Sequence, residues 1–307
     1  MEFKCRLCGG RNGHHIDTKD AKNNEVLSIT ACKGCGLVQQ TSLPSDEDLK
    51  IYYSHNYRAD YKKSYEPKIK HIHRAGVAAK DRIQFLSTHV SPDFNTSLLD
   101  IGAGGGEFVY LASKAGFNSR GIEPNEGYSY FSKKEYQIDI RTQMLDDLEP
   151  ESANVITLFH VYEHMAHPFT VMEKISRTLK KGGYLFIEVP NILQNDASPH
   201  NIFFKAHLFY FSRYTIASFA SQYFNVVKLE DKGNLKVLLQ KREFMEENVL
   251  YPGDDEVSHT FKRLKEKGWL EYIFVGGGIF KPIRKIKKMI KESSLPNVAP
   301  REILDSI

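Results

Sequence analysis

With 307 residues, 41% of them hydrophobic and 26% charged, the chain has the composition of a folded globular protein, which excludes disordered, collagenous and fibrous classes. Its length exceeds what one compact domain needs and falls short of two full ones, so a core domain with attachments is expected. Lys and Arg total 42 against 38 Asp and Glu, so no global basic field marks a nucleic-acid binder. No apolar stretch reaches the roughly 20 residues of a membrane span, and the opening MEFKCRLCGG lacks the apolar core of a signal peptide. A cytoplasmic location is the expectation.

All four cysteines fall in the first 35 residues, as Cys5-x-x-Cys8 and Cys32-x-x-Cys35. Two such pairs separated by 23 residues fit a ribbon of two knuckles whose four thiolates hold one tetrahedral Zn²⁺. Gly9 and Gly36 follow the second cysteine of each pair, where a tight turn aims backbone N–H groups at the sulfurs. A redox dithiol and a rubredoxin-like iron are the rivals, and doubling of the motif favours zinc. His14 and His15, between the knuckles, read as surface-loop residues because four sulfurs close the site. A closed site does no chemistry, so the metal is expected to hold together about 40 residues that are too few for an apolar core of their own. Residues 1–50 carry seven basic and seven acidic side chains, without the excess charge of a ribbon that grips RNA.

Ser45 is placed to cap a helix that begins over Asp46–Tyr53. Tyr53, Tyr57 and Tyr61 would share one face of its continuation, either as a lid or as ordinary packing.

Residues 97–106, Ser-Leu-Leu-Asp-Ile-Gly-Ala-Gly-Gly-Gly, read as an apolar strand ending in a glycine loop, with a helix over Glu107–Lys114. This is how a doubly wound sheet begins. Glycines at 102, 104 and 106 miss the dinucleotide fingerprint, which wants a glycine at 107 where Glu107 stands. Asp100 would crowd a pyrophosphate, yet suits the amino group of an amino-acid-bearing cofactor. A second strand, Ser119–Ile122, ends in Glu123, 21 residues after Gly102, where a carboxylate can take both ribose hydroxyls of an adenosine. Asn154–Phe159 reads as a further strand, terminated by His160. Val226–Glu230 and Leu235–Gln240 flank Asp231-Lys232-Gly233-Asn234, a turn too short for a parallel crossover, so the last strand must run antiparallel. His160-x-x-Glu163-His164 also fits an inverted zinc-protease pattern; that reading is rejected because His160 ends a strand and His167-Pro168 follows at once.

LLDIGAGGG, GIEPN, VITLFHVYEHMAHP and LKKGGYLFIEVPN, in that order over about 150 residues, resemble class I S-adenosylmethionine-dependent methyltransferases. The resemblance implies an α/β fold: a doubly wound, Rossmann-like seven-stranded sheet with an antiparallel last strand, here joined to a small N-terminal zinc ribbon and a C-terminal helical extension. The chain then divides into the ribbon (1–45), a helical linker or lid (46–90), the S-adenosylmethionine-binding domain (91–242) and a basic helical extension (243–307). Asp100, Gly102 and Gly104, with Gly106 in the same loop, would line the methionine half of the cofactor. Glu123 would bind its ribose, Met144 or Leu145 would flank the adenine, and His160 would sit beside the sulfonium. Glu163 and His164 read either as a hydrogen-bonded pair shaping the rim or as catalytic groups.

His207-Leu-Phe-Tyr-Phe-Ser212 is similar to a segment of sugar C-methyltransferases in which a Glu-His pair precedes aromatics and a serine. Here Ala206 replaces the glutamate, which leaves His207 as the base for oxygen methylation or as a pocket wall; His200 is the segment's other histidine. Cys32-Lys-Gly-Cys-Gly-Leu-Val, Leu43-Pro-Ser-Asp-Glu, Tyr52-Tyr53 and Tyr57 resemble bacterial methyltransferases that join a zinc module to this core and often act on sugars or surface-polysaccharide precursors. O-methylation of a small-molecule or lipid-linked sugar is the expectation that follows. An RNA methyltransferase and a non-catalytic zinc-containing membrane-surface adaptor are the alternatives.

Residues 51–82 hold eight basic side chains against three acidic ones, and Phe280–Lys291 hold six basic and no acidic residues. Ile279, Phe280, Ile283, Ile286, Met289 and Ile290 recur at nearly helical spacing, so 279–291 either rests on an anionic membrane at the inner face or packs on the core. Gly276–Gly278 before it reads as a hinge.

Overall fold

The computed structural model describes residues 3–45, 47, 67–145 and 148–307. The expected helix from Asp46 and the Tyr53, Tyr57, Tyr61 face lie outside them. Strands are β1 (Gly13–Lys19), β2 (Val26–Cys32), β3 (Val38–Gln40), β4 (Ser97–Ile101), β5 (Asn118–Ile122), β6 (Ile140–Arg141), β7 (Ala153–Phe159), β8 (Leu179–Val189), β9 (Phe209–Tyr210), β10 (Phe224–Glu230) and β11 (Leu235–Lys241). Helices are α1 (Ile69–Leu86), α2 (Glu107–Lys114), α3 (Glu126–Tyr136), α4 (Pro168–Thr178), α5 (Arg213–Ala220), α6 (Asp254–Glu266), α7 (Lys281–Ser293) and α8 (Pro300–Asp305).

Seven strands form one mixed sheet in the order β10-β11-β8-β7-β4-β5-β6. β4 pairs in parallel with β5 on one side and β7 on the other, and β5 pairs in parallel with β6. The strand order therefore reverses at β4, and the crevice beyond its C-terminal end is where such sheets bind ligands. β10 and β11 pair antiparallel, as their short connection requires, and β11 lies between β10 and β8. Leu98, Leu99, Val155, Ile156, Leu158, Phe186 and Ile187 are all buried. Strands covered on both faces need continuous apolar runs rather than alternation, which is why these segments read so plainly in the sequence.

The chain folds as two compact units: Met1–Ser45 with Phe159–Ser176 and Ile187–Arg284, and Asp46–Leu158 with Arg177–Phe186 and Lys285–Ile307. In the second unit Ile72 of α1, Tyr110 of α2, Phe131 and Tyr136 of α3, and Ile303 and Leu304 of α8 share one apolar cluster. Gly76 lets α8 approach, since a Cβ there would come within 2.7 Å of Leu304 and 2.3 Å of Ile307. Tyr110 donates its hydroxyl to Asp305 at 2.6 Å and accepts from Arg301 at 3.1 Å. The last helix is thus part of this unit's core.

In the first unit β1, β2 and β3 form an antiparallel sheet whose fourth strand is β9, paired through Val38 to Tyr210 and Gln39 to Phe209. Leu27, Ile29, Ala31 and Val38 pack with Ile192, Phe203 and Tyr210, against which Phe261 and Leu264 of α6 also rest. The cysteine segment therefore packs into an apolar core that it shares with residues far along the chain rather than one of its own. α5 begins at Ser212, whose hydroxyl accepts from the Thr215 backbone while Thr215 answers the Ser212 N–H, a capping box. Asp254, Asp255 and Glu256 open α6, where negative charge suits the positive end of the helix.

Two readings of the C-terminal segment are corrected. The face of 279–291 does not pack on the core: Ile279, Phe280, Ile283, Ile286, Met289 and Ile290 are each 54–64% exposed. Gly276–Gly278 is a packed turn rather than a hinge, because a Cβ at Gly278 would come within 2.6 Å of the Tyr272 ring and one at Gly276 within 2.0 Å of the Asn195 carbonyl oxygen. Among the described residues no helix is long and apolar enough to cross a membrane.

Candidate active site

The Sγ atoms of Cys5, Cys8, Cys32 and Cys35 all lie within 4.8 Å of one another, with Cys5–Cys35 and Cys8–Cys32 at 3.5 Å. Sulfurs about 2.3 Å from a tetrahedral ion stand about 3.8 Å apart, so the four donors are spaced as one ion requires. Gly9 and Gly36 adopt left-handed backbone (φ 73° and 71°), and their N–H groups close the two knuckles onto the carbonyls of Cys5 and Cys32. Hydrogen bonds from Cys35 and Cys5 hold the Cys32 thiol far below its usual range, and Cys32 in turn pushes Cys5 and Cys35 upward. Four thiols this close cannot all ionise without a cation to share their charge. His14 and His15 sit on β1 rather than in a loop; His14 meets the Phe261 ring edge-on and His15 pairs with Asp17 at 3.0 Å.

At the C-terminal end of β4 the chain turns through Gly102, Gly104 and Gly106 (φ 73°, 52° and 87°) into α2. Asp100 is buried and accepts the Thr157 hydroxyl at 2.6 Å, its partner in the β4–β7 register. Burial pushes its carboxyl up to about 7, against the lowering effect of that hydrogen bond and of the Arg82 charge. Glu123, just after β5, accepts the Gly104 N–H at 3.0 Å with Oε2 and the Asn125 N–H at 2.9 Å with Oε1. A carboxylate has about four lone-pair sites, so two remain for hydroxyl donors. Gly106 is a place of close packing: a Cβ there would come within 2.8 Å of Ile138, Ile140 and Ser132. Met144 is exposed and Leu145 half-buried shortly after β6. Burial also pushes Glu107, the first residue of α2, up to about 7.

His160 ends β7 in a left-handed conformation (φ 57°), with its N–H donated to the Glu188 carbonyl at 2.8 Å. A single helical turn, Tyr162–His164, follows, so His160 and His164 do not share a helix. Glu163 is 1% exposed, and three histidines surround its Oε1: His160 Nδ1 at 3.5 Å, His164 Nε2 at 4.0 Å and His207 Nε2 at 4.0 Å. Burial opposes its charge, but the histidines outweigh burial and lower its carboxyl below the ordinary range. His160 also faces Glu188 Oε1 at 3.5 Å; burial works against its protonation, yet the two carboxylates raise it to about 9. His207 shifts the other way, to about 4, because burial outweighs the pull of Glu163 and leaves a neutral imidazole.

The sequence-predicted His160, Glu163, His164 and His207 thus converge, whereas His200 stands apart, edge-on to Trp269. The contacts that hold these groups had no signal in the sequence. Asn234 Nδ2 lies 3.2 Å from His160 Nε2 and donates to Glu188 Oε1 at 2.9 Å, and His164 Nδ1 lies 2.7 Å from the Ala206 carbonyl. Gln40, at the end of β3, donates its Nε2 to the carbonyls of Lys205 and His207 (2.8 and 3.0 Å) and its N–H to that of Leu208 (2.9 Å). Tyr210 donates to the Phe204 carbonyl and accepts its N–H, closing the loop that carries His207. Val38 comes three residues after Cys35, so the second knuckle runs straight into the strand that fixes His207.

A parallel sheet with a glycine loop and a following carboxylate at its switch point, finished by an antiparallel hairpin, defines the class I methyltransferase fold. The family described as "Methyltransferase domain" matches residues 71–244, and the chain belongs to that family. It is 27% identical over 118 residues to the ubiquinone biosynthesis O-methyltransferases of Idiomarina loihiensis and of Methylococcus capsulatus, a match covering 36% of this chain and 49% of each relative. The chain thus spans about half the length of the curated relatives it matches. Among solved structures, a SAM-dependent methyltransferase of Aquifex aeolicus aligns with a TM-score of 0.46 and 14% identity, over 58% of this chain and 100% of that one.

Proposed function

We propose that the chain transfers a methyl group from S-adenosylmethionine to a hydroxyl oxygen of a sugar or glycan precursor, with Zn²⁺ in the four-cysteine site as a structural ion. The observation that carries this reading is the convergence of His160, His164 and His207 on the buried Glu163 carboxylate, in a family of methyltransferase domains. Bound S-adenosylmethionine would supply a methyl carbon made electrophilic by its sulfonium. In the transfer the acceptor oxygen would form its bond to that carbon as the carbon–sulfur bond breaks, and the hydroxyl would lose its proton at the histidine–glutamate cluster. Asp100 and the Gly102–Gly106 loop would take the amino-acid half of the cofactor, Glu123 its ribose, and Met144 or Leu145 its adenine. Names of the curated relatives favour oxygen over carbon as the acceptor atom, and the likeness of the cysteine segment to sugar-modifying enzymes favours a sugar. The uncovered apolar stripe on 279–290, flanked by Lys281, Arg284, Lys285, Lys287, Lys288 and Lys291, supports contact with an anionic membrane surface, where a lipid-linked sugar would be presented.

Calorimetric titration of the full chain with S-adenosylmethionine tests the reading. Micromolar affinity is expected, weakened about tenfold or more by Glu123→Ala, equivalent to roughly 1.4 kcal/mol. Absence of heat at millimolar cofactor overturns it.

A further inference from the structure

Glu163 presents a chemical problem that the methyl-transfer reading leaves unsolved. Among the described residues neither of its buried carboxylate oxygens makes a hydrogen bond, although His160 Nδ1 stands 3.5 Å from Oε1, and His207 Nδ1 is buried and unpartnered beside it. The nearest nitrogens of His164 and His207 stand 4.0 Å from Oε1, beyond hydrogen-bond reach. A buried charge held this way is costly unless something further coordinates it.

We propose that Glu163, His164 and His207 bind a divalent transition-metal ion, and that an oxygen of the acceptor completes its coordination. One ligand atom from each residue can be chosen so that all three lie within 4.8 Å of one another. Nitrogen and oxygen donors about 2.1 Å from an ion stand about 3.4 Å apart at a tetrahedral angle and about 4.2 Å apart across it, so the 4.0 Å spacings need only a small closure of the side chains. His164 is already oriented for the task. Its Nδ1 donates to the Ala206 carbonyl at 2.7 Å, the arrangement in which a backbone acceptor fixes a ligating imidazole. The Gln40 and Tyr210 hydrogen bonds fix the backbone on either side of His207. Two imidazoles and one carboxylate select Zn²⁺, Fe²⁺, Mn²⁺ or Co²⁺ over Mg²⁺ and Ca²⁺, which prefer all-oxygen shells. Three protein donors leave a position open, unlike the closed four-sulfur site. The metal's role here rests on the proposed function: a hydroxyl bound at the open position is both positioned and acidified, its proton passing to water. His207 then serves as a ligand rather than as the base.

The test uses the full chain loaded with Co²⁺ and freed of unbound metal. Two cobalt ions per chain are expected, one with intense thiolate charge-transfer absorption and one with weak ligand-field bands alone. Glu163→Gln and His207→Ala should each lose the second ion, weakening its Kd at least tenfold, while the thiolate bands persist and report an intact cysteine module. His164→Gln, at a side chain 25% exposed, repeats the comparison should the buried substitutions unfold the chain. One cobalt per chain in the wild type at saturating metal, or two in the wild type and all folded variants, overturns the assignment. Cofactor binding is measured separately, so a chain that binds S-adenosylmethionine but only one cobalt loses this inference and keeps the proposed function.

Discussion

The four-cysteine site and the histidine–glutamate cluster lie in the same compact unit and share a strand connection, yet they are built on opposite plans. The cysteines are four identical soft donors, supplied by two short turns and spaced for one ion with nothing left open. The other cluster takes one carboxylate and three imidazoles from the end of β7 and from the loop before β9, and lets burial and charge shift each group differently: His160 up to about 9, His207 down to about 4, Glu163 below its ordinary range. The first arrangement suits holding a fold together, the second suits chemistry. Gln40 joins them: it lies five residues after Cys35 and is hydrogen-bonded to the backbone carbonyl of His207.

The contrast can be broken at its structural end first. Cys32→Ser should lower the melting temperature by roughly 10–20 °C and release the ion, because four-ligand zinc binding is folding free energy; an unchanged melting curve would remove the structural role. Next in size, Glu163→Gln should lower turnover about 100-fold while leaving S-adenosylmethionine affinity within about twofold, as expected for a group acting on the acceptor; calorimetry beside steady-state rates reads both. Gln40→Ala tests the link. It should cost about tenfold in turnover, the value of two side-chain hydrogen bonds to the carbonyls of Lys205 and His207, with metal content unchanged; full activity would sever the cysteine module from the site. The smallest effect concerns pH. Asp100, raised to about 7 by burial, is neutral below that value and charged above it. Affinity for the cofactor's cationic amino group should therefore rise several-fold from pH 6 to pH 8, and Asp100→Asn should abolish the slope.

The legible parts of the molecule are those specified locally. The doubly buried strands β4, β7 and β8 announce themselves as apolar runs, the Asp231–Asn234 turn fixes the antiparallel hairpin, and the CxxC pairs name their own partners. His160, Glu163, His164 and His207 each stand out in the sequence, but nothing local says that 207 returns to 163. That depends on β9, two residues long, pairing with β3 across some 170 positions of chain. Glu188 lay within a recognised segment and Asn234 within a recognised turn, yet their contact with His160 exists only once β8 and β11 are side by side. The 279–290 stripe shows a different limit: helical periodicity is the same whether an apolar face is covered or bare, so only the structure separates the two.

The most direct measurement follows methyl-labelled S-adenosylmethionine into nucleotide sugars and lipid-linked glycans, with the wild-type chain and Glu163→Gln compared at equal cofactor occupancy. Label should enter a hydroxyl of at least one sugar with the wild type and fall about 100-fold with the variant. Equal transfer by both, or no transfer to any sugar alongside transfer to RNA, would contradict the account.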